Sequence, residues 1–383
     1  MTDSLFGPIP RSALPKNDDQ AILWLQLIRS RRVGPATFLR LITDHGSAGA
    51  ALEALPGIAA AAGVKNYHPY PKSEAAREFA AGHAKGARLL FLGAPDYPAL
   101  LSDISDAPPV LWTRGNAAML RRDSVALVGA RNASSLGTRM AKSLATGLGA
   151  ENIVVTSGLA RGVDAAAHHA ALATGTIAVM AGGVDHIYPL ENLKLADQIA
   201  ESGLLMSEQP IGLAPQARDF PRRNRLISGL SRAVVVVEGA AKSGSLITAR
   251  EAADQGRDVM AVPGHPMDAR AAGCNMLIRD GATLVRSARD VIEALALPTT
   301  RAARQEKPQP PQTQPAEPPR ATIAQAMDLS RRILSLLGPT PIPEDQLIRE
   351  LNLSAADLSP HLVNLELEGR LNRQSGGLLA LNV

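Results

Sequence analysis

A cluster of arginines between Phe220 and Arg232 is the strongest chemical signal in this sequence. The segment holds Arg222, Arg223 and Arg225, and no carboxylate stands between its ends. Arg222 and Arg225 share one face of a predicted helix near its N-terminus, where a positive side chain is unfavourable unless an anion is bound. Phe220 can stack on a nucleobase. The alternative is a solvated helix start whose arginines pair with acids elsewhere in the chain.

Several turns that follow short apolar runs have the composition of phosphate-binding turns. Small residues let the backbone approach a phosphate closely, and the N-terminus of the next helix adds amides and a positive dipole. An arginine in such a turn can clamp a phosphate with two hydrogen bonds. Together with the arginine cluster, these turns supply the candidate nucleic-acid-binding residues. They are Gly129, Arg131, Ser134, Ser157, Gly158, Arg161, Phe220, Arg222, Arg223, Asn224, Arg225, Lys242, Ser243, Gly244 and Ser245.

The patterns of nucleotide-cofactor and metal sites are absent from these turns. The turn at Gly129 lacks the spacing Gly-x-Gly-x-x-Gly, and the turn at Lys242 lacks the Gly-Lys-Ser/Thr order of a P-loop. Asp164 and His168 are four residues apart on a predicted helix. This spacing favours a local hydrogen bond or helix capping over a metal site, because a further ligand is missing. We therefore expect no cofactor and no metal.

Short apolar runs alternate with helical stretches through the middle of the chain. Such runs are typical of strands that are buried on both faces of a sheet. The alternation predicts an α/β fold, with a Rossmann-like, mostly parallel sheet and helices on both faces. Ligands of such folds bind beyond the carboxyl ends of the strands, where the candidate turns lie. The predicted strands are 125–128, 153–156, 176–180, 204–207, 233–237, 259–262 and 283–285, and the predicted helices include 138–148, 163–173 and 247–255.

Two smaller domains are predicted to flank the Rossmann-like domain at 84–297. Residues 1–83 form a small helical domain that is SAM-like or helix-hairpin-helix-like, with helices on either side of Val33-Gly34-Pro35. It either binds DNA backbone through amides at a helix N-terminus or serves as a plain helical dimerisation or capping domain. Residues 298–324 are a proline-rich linker.

Residues 325–383 have the pattern of a winged helix, with helices at 327–337, 343–351 and 354–369 before a glycine-turned hairpin. Leu358, Leu362 and Leu365 are expected to face its core. Pro360 predicts that the third helix either kinks or starts late with Ser359 as its cap. Because this segment is slightly acidic, a protein partner or self-association is a better expectation than phosphate contact.

Composition and charge limit the function classes only broadly. The net charge of +4 is too small over this length to identify nucleic acid as a partner. No apolar run is long enough for a membrane helix, and residues 1–10 lack the pattern of a secretory signal. The lone Cys274 fits a reducing compartment. We therefore expect a cytoplasmic protein that has no membrane association.

The ordered motifs between 84 and 297 closely resemble those of the DprA/Smf family of DNA-processing proteins. The resemblance implies a Rossmann-like domain that grips the backbone phosphates of single-stranded DNA and forms a homodimer. It also implies that the protein protects incoming DNA and loads a RecA-type recombinase during natural transformation, and that a winged helix follows in many members. The matching residues are Tyr97-Pro98, Val128-Gly129-Ala130-Arg131, Ser157-Gly158-Leu159-Ala160-Arg161-Gly162-Val163-Asp164, His168, Tyr188-Pro189, Ser207-Glu208, Phe220-Pro221-Arg222-Arg223-Asn224-Arg225, Lys242-Ser243-Gly244-Ser245-Leu246-Ile247-Thr248-Ala249 and Pro263-Gly264.

Two positions depart from the family pattern. Arg161 stands where many relatives have lysine, which keeps the charge. The N-terminal hairpin lacks the second glycine of a sharp hairpin, so it stays open whether the first helices contact DNA.

A nucleotide phosphoribohydrolase of the lysine-decarboxylase-like fold is the alternative interpretation. The motif of that family is Pro-Gly-Gly-x-Gly-Thr-x-x-Glu, and its Gly-Thr aligns with Gly244-Ser245. Thr248 then occupies the position of the catalytic glutamate, and threonine cannot exchange a proton near neutral pH. We therefore predict a binding protein and not an enzyme. A purely structural interaction protein is a third possibility, and the lack of single-strand binding at low salt would favour it.

Overall fold

A computed structural model describes residues 9–297 and parts of the tail, namely 333–334, 342–343, 347–348, 351, 355–374 and 378–381. The chain divides into two compact units, Met1–Glu306 and Lys307–Val383. The predicted linker at 298–324 lies outside the described residues, and the domain boundaries given above stay predictions. No helix of the described residues is both long enough and apolar enough to cross a membrane.

A nine-stranded sheet forms the centre of the first unit, in the order β1-β2-β6-β5-β4-β3-β7-β8-β9. Neighbouring strands from β6 to β9 are parallel, whereas β1 and β2 pair antiparallel at one edge. The mostly parallel sheet predicted from the alternating runs is confirmed, and the antiparallel pair was not predicted. The strands are β1 Arg88–Phe91, β2 Val110–Gly115, β3 Ser124–Val128, β4 Val154–Ser157, β5 Thr176–Val179, β6 Leu204–Ser207, β7 Ala233–Val236, β8 Asp258–Ala261 and β9 Thr283–Leu284.

Helices cover both faces of the sheet because alternate residues of each buried strand point to opposite faces. In β3, Val125 and Leu127 belong to one apolar cluster, while Ala126 and Val128 belong to another. The first cluster includes residues of α6, α7 and α12, and the second includes residues of α5, α9, α10 and α11. These helices and α8 are α5 Ala99–Ser102, α6 Ser135–Ala150, α7 Val163–Ala171, α8 Leu193–Ser202, α9 Asp219–Gly229, α10 Ser245–Asp254, α11 Ala272–Arg279 and α12 Ala288–Ala294.

The strand order reverses at β3, which gives the sheet a topological switch point. From β3 the chain first builds β4, β5 and β6 on one side, and then returns to place β7, β8 and β9 on the other. The turns that leave β3 and β7 therefore diverge at the same edge of the sheet. In open α/β sheets this divergence creates a crevice that binds ligands.

Among residues 9–297, four α-helices precede the sheet, and they pack on it as part of the same unit. They are α1 Asp18–Arg29, α2 Pro35–His45, α3 Ala48–Ala61 and α4 Lys72–Ala84. Trp24 and Phe38 pack edge to face at a centroid distance of 4.9 Å inside this bundle. Glu78 of α4 accepts hydrogen bonds from the Trp112 indole of β2 and from Arg29, both at 2.8 Å. The helical region and the sheet thus share one buried core.

The described part of the second unit contains one helix that is described in full and a three-stranded antiparallel sheet. These are α13 Ala355–Leu367, β10 Ile342–Pro343, β11 Leu371–Gln374 and β12 Leu378–Leu381. Leu358, Leu362 and Leu365 are buried, as their spacing predicts. Because α13 begins at Ala355 and continues through Pro360, the alternative of a late helix start at Ser359 is wrong. The other two predicted helices are described only in part.

Candidate nucleic-acid interface

A cleft of about 660 Å³ opens at the switch point of the sheet. Its walls are the turn after β3, the turn after β7 and the first half of α9. The structure therefore brings together candidate residues that are more than a hundred positions apart in the sequence. The predicted residues that line this cleft are Gly129, Arg131, Phe220, Arg223, Asn224, Ser243, Gly244 and Ser245.

Gly129 lets the turn after β3 pass close to its neighbours. A Cβ atom at this position would lie 2.6 Å from the Val163 side chain and 2.9 Å from the Glu238 carbonyl oxygen. No larger residue fits there without moving the backbone. The tight turn exposes Arg131, whose guanidinium lies 5.3 Å from the centre of the Phe220 ring. A cation over a ring of this kind presents both a positive charge and an aromatic face to the cleft.

Tyr188 is a component of this site that was not placed among the DNA-binding residues. Its ring lies 5.5 Å from that of Phe220, and 48% of the residue is exposed. Tyr188 lines the main cleft and two smaller cavities that adjoin it. The sequence did contain a signal, because aromatic residues are only 3% of the chain and this one follows the adjacent glycines Gly182 and Gly183.

Arg222 and Arg225 do not present one continuous basic face. Arg222 is exposed, and no ion pair involves it among residues 9–297. Arg225 is buried, and its guanidinium lies 2.5 Å from Glu208 and 2.9 Å from Asp106. The expectation that Arg225 meets a phosphate is therefore corrected, since two carboxylates already neutralise it. These acids lie far away in the sequence, where the local cluster gave no sign of them.

Arg223 connects the carboxyl ends of β4 and β5 next to the cleft. Its Nη1 donates to the carbonyl oxygen of Gly158 at 2.7 Å and to that of Val179. Burial lowers the pKa of Arg223 to about 10. Arg223 therefore lines the cleft while its Nη1 group is used by two backbone carbonyls.

Ser157 and the amide of Gly158 are used inside the protein, which corrects their assignment as anion-binding groups. The Ser157 hydroxyl donates to the carbonyl oxygen of Leu127 at 2.6 Å, and the side chain is completely buried. The Gly158 amide donates to Asp164 at 3.0 Å. Gly158 is required for another reason, because a Cβ atom there would lie 2.6 Å from the Arg223 guanidinium.

Asp164 and His168 form separate local contacts. Asp164 accepts from the amides of Gly158 and Ala160, and burial raises its pKa. The Nδ1 atom of His168 lies 2.7 Å from the Thr176 hydroxyl, and burial lowers the pKa of His168 to about 3. No group of three potential metal ligands was found among the described residues.

Ser134 is the N-cap residue of α6, and its hydroxyl is hydrogen-bonded to a carboxylate of the protein. The hydroxyl of Ser134 accepts from the Gly137 amide at 3.0 Å and donates to Glu238 at 2.5 Å. Ser134 therefore does not offer a free hydroxyl to a phosphate, which corrects its place among the candidates.

The turn after β7 is divided between two clefts. Ser243, Gly244 and Ser245 line the main cleft, and the hydroxyls of Ser243 and Ser245 are 2.8 Å apart. Lys242 is exposed and lines a neighbouring cleft of about 790 Å³ on the other side of the turn. The basic group of this turn is thus held beside the main cleft and not inside it.

Arg161 lies at the opposite end of the site. Its guanidinium is 3.3 Å from Glu191, and both side chains are more than half exposed. With Gly158, Tyr188 and Phe220 it lines a small cavity next to the main cleft. An exposed pair of this kind is weak, so Arg161 can exchange its partner for an incoming phosphate.

The assembled site matches a known family. The family model for DNA recombination-mediator protein A matches residues 88–296, which is more than half of the chain. The chain belongs to the DprA/Smf family. Further models match a DprA-like N-terminal HHH domain at 18–81 and a DprA winged-helix domain at 307–377. The predicted classes of both flanking domains are thereby confirmed.

Individual DprA/Smf proteins resemble the chain over much of its length. DNA processing protein DprA of Bacillus subtilis is 44% identical over 229 residues, which cover 59% of this chain and 76% of the relative. Protein Smf of Escherichia coli is 35% identical over 288 residues, which cover 74% of this chain and 75% of the relative.

Solved DprA structures share the fold. That of Streptococcus pneumoniae DprA is 40% identical, has a TM-score of 0.55 and covers 58% of this chain and 77% of its own. DNA processing protein A of Helicobacter pylori is 29% identical with a TM-score of 0.51, and the match covers 55% of this chain and 95% of its own. The structural work on the Helicobacter pylori protein describes its single-stranded DNA binding mode.

The DprA/Smf motifs that carry the resemblance therefore fall into two groups. Gly129, Arg131, Phe220, Asn224 and the serines after β7 line the cleft. By contrast Ser157, Asp164 and Arg225 hold the sheet edge in shape through buried hydrogen bonds and ion pairs.

Proposed function

We propose that this chain binds single-stranded DNA in the cleft at the carboxyl ends of the strands. The observation that carries the proposal is the convergence of Arg131, Phe220 and Tyr188 at the switch point. The exposed guanidinium of Arg131 can pair with a backbone phosphate, while the exposed Tyr188 ring and the half-buried Phe220 ring can stack on bases of any identity. The single-stranded DNA binding mode described for the Helicobacter pylori relative supports the same conclusion.

The chemistry of the cleft favours an unpaired strand over a duplex. Tyr188 and Phe220 offer ring faces, and a base can reach them only when it is not stacked inside a double helix. Glycines such as Gly129 and Gly244 have no side chain, so the backbone of a DNA strand can approach the turns closely. We infer that the protein binds mainly the phosphate backbone of the strand and tolerates different base sequences.

The test is a comparison of single-stranded and duplex oligonucleotides of equal length by fluorescence anisotropy across a salt series. We expect the single strand to bind more tightly, with affinity falling steeply as salt increases. Arg131→Ala should weaken binding by about tenfold and reduce the salt slope by about one. Arg289→Ala is the matched control, because this side chain is 84% exposed and forms an exposed ion pair with Glu293 on α12. Equal affinity for both forms of DNA, with no effect of Arg131→Ala, would contradict the proposal.

The chain is proposed to act as a binding protein without catalytic activity. Thr248 lines the cleft at the position that aligns with the catalytic glutamate of phosphoribohydrolases, and it has no acid–base chemistry near neutral pH. Asp164 also lines the cleft, but its carboxylate already accepts two backbone amides. Release of free base from a nucleoside monophosphate, abolished by Arg131→Ala, would establish the enzymatic alternative.

The wider role rests on membership of the DprA/Smf family. We propose that the protein protects incoming single-stranded DNA and loads a RecA-type recombinase onto it during natural transformation. We further propose that it acts as a homodimer, and sedimentation of the purified chain checks this part. Recombinase-catalysed strand exchange on DNA coated with single-strand-binding protein should accelerate when the chain is added, and unchanged rates would argue against a loading role.

A further inference from the structure

The carboxylate of Glu238 occupies the N-terminus of α6. Glu238 follows β7 and is 8% exposed. The backbone amide of Ser134 donates to its Oε1 atom at 3.1 Å, and the Ser134 hydroxyl donates to its Oε2 atom at 2.5 Å. The first amides of a helix carry a positive partial charge, and they hold anions such as phosphate in many nucleotide-binding folds. Here the anion is part of the protein.

Two glycines allow the chain to close around this carboxylate. A Cβ atom on Gly137 would lie 2.3 Å from the Glu238 Oε2 atom. A Cβ atom on Gly129 would lie 2.9 Å from the Glu238 carbonyl oxygen, which accepts from the Ala130 amide at 2.7 Å. The turn after β3 is therefore wrapped around Glu238 through its backbone and its side chain. This enclosure holds the Glu238 carboxylate at the helix terminus, where a bound anion would otherwise lie.

We propose that Glu238 is a specificity-determining residue, which occupies the phosphate position of α6 and so prevents the cleft from selecting a terminal phosphate. This inference rests on the proposed single-strand binding. Arg131 and the turn after β7 can still contact phosphodiesters along a strand, because they lie in the open cleft. The protein then binds the end and the interior of a DNA strand equally well. Mononucleotides, whose affinity depends on their terminal phosphate, gain little from this site.

The experiment compares oligo-thymidine strands that carry either a 5′-phosphate or a 5′-hydroxyl group. The wild-type protein should bind both within about twofold, whereas Glu238→Ala should prefer the 5′-phosphate by about fivefold or more, in line with the attraction of a helix N-terminus for an anion. Glu238→Gln fills the same volume and keeps an oxygen for the Ser134 amide, so it should retain the wild-type behaviour. Glu201→Ala is a control for the loss of one negative charge, because this exposed acid at the end of α8 lies at the opposite edge of the parallel strands.

Thermal denaturation establishes first that each variant is folded. A wild-type protein that prefers the 5′-phosphate by more than about fivefold would overturn the inference without any variant. It would also be overturned if folded Glu238→Ala showed no preference, or if Glu238→Gln gained as much as Glu238→Ala. Failure of the proposed function is a different outcome, because then the wild-type protein would not bind the 5′-hydroxyl strand.

Discussion

The guanidinium of Arg225 lies 2.5 Å from the carboxylate of Glu208, although seventeen residues separate them in the sequence. Three residues earlier on the same helix, Arg222 is exposed to solvent. One arginine of the pair therefore belongs to the protein interior, and the other is free to meet a ligand. Mutation of the buried arginine is expected to lower stability, whereas mutation of the exposed one is expected to weaken DNA binding.

Replacement of these two arginines separates stability from binding. Arg225→Ala leaves Glu208, whose side chain is only 14% exposed, without this partner, and we expect it to lower the free energy of unfolding by about 3 kcal/mol. Arg222→Ala should leave stability unchanged and weaken single-strand binding about threefold or more, since it removes one exposed positive charge next to the cleft-lining residues Pro221 and Arg223. Urea denaturation and anisotropy measure the two effects. Arg232→Ala is the control, because this arginine belongs to the same cluster but forms an exposed pair with Asp123 and should cost less than about 1 kcal/mol. A stable Arg225→Ala variant that has lost DNA binding would contradict this division.

The aromatic pair in the cleft predicts a stacking contribution. Tyr188→Leu and Phe220→Leu remove the rings but keep apolar side chains, and each should weaken single-strand binding by about fivefold or more. Tyr188→Phe keeps the ring and should bind as the wild type does. The measurement is anisotropy with an oligo-thymidine strand at fixed salt. If Tyr188→Leu and Tyr188→Phe bind equally well, the ring of Tyr188 does not contact a base.

His168 predicts a loss of stability in acid. Burial and the positive charges of Arg223 and His169 lower its pKa from 6.5 to about 3, so the folded protein holds it neutral. Below pH 6.5 the unfolded chain binds a proton that the folded chain does not. The stabilisation is therefore complete above that pH and declines as the pH falls towards 3, with a loss of about 3 kcal/mol by about pH 4. Melting temperatures across this range should fall less steeply for His168→Gln, which cannot titrate.

Asp164 acts in the opposite direction in the same experiment. Its pKa is raised by burial, so its protonation favours the folded state as the pH falls. Because both proteins retain Asp164, the difference between wild type and His168→Gln isolates the histidine. Identical pH slopes for the two proteins would exclude the proposed titration.

Two helical glycines provide a matched pair for packing. A Cβ atom on Gly82 of α4 would lie 2.3 Å from the Trp112 ring, so we expect Gly82→Ala to destabilise the protein by about 1–3 kcal/mol through overpacking. Nothing lies within 4 Å of a Cβ atom on Gly57 of α3, and Gly57→Ala should stabilise by about 0.5–1 kcal/mol through its higher helix propensity. Chemical denaturation measures both. Equal effects of the two substitutions would contradict the close contact at Trp112.

The central fold could be predicted because its signals are local. Seven strands of the sheet coincide with short, mostly apolar runs, and each is followed by a helix or a small-residue turn. The strands β1 and β2 were missed since they pair antiparallel at an edge and neither alternates with a helix of the predicted kind. Local sequence also indicated Leu358, Leu362 and Leu365 as core positions through their helical spacing.

The site could be predicted only in part, because composition identifies a turn but does not reveal the partners of its side chains. Gly129, Arg131 and the serines after β7 line the cleft as their turn chemistry suggested. The ion pair of Arg225 with Glu208 and the hydrogen bond from Ser134 to Glu238 depend on tertiary contacts. No local pattern reports such contacts.

The shared acceptor Glu78 has a consequence for shortened forms of this protein. A chain that began at β1 would lack α4, so the Trp112 indole would lose both its lid and the carboxylate that receives its N–H group. A bare tryptophan on an uncovered sheet face invites aggregation. The four leading helices are thus an integral cover of this sheet face, and a stable shortened form would need a smaller or more polar residue in place of that tryptophan.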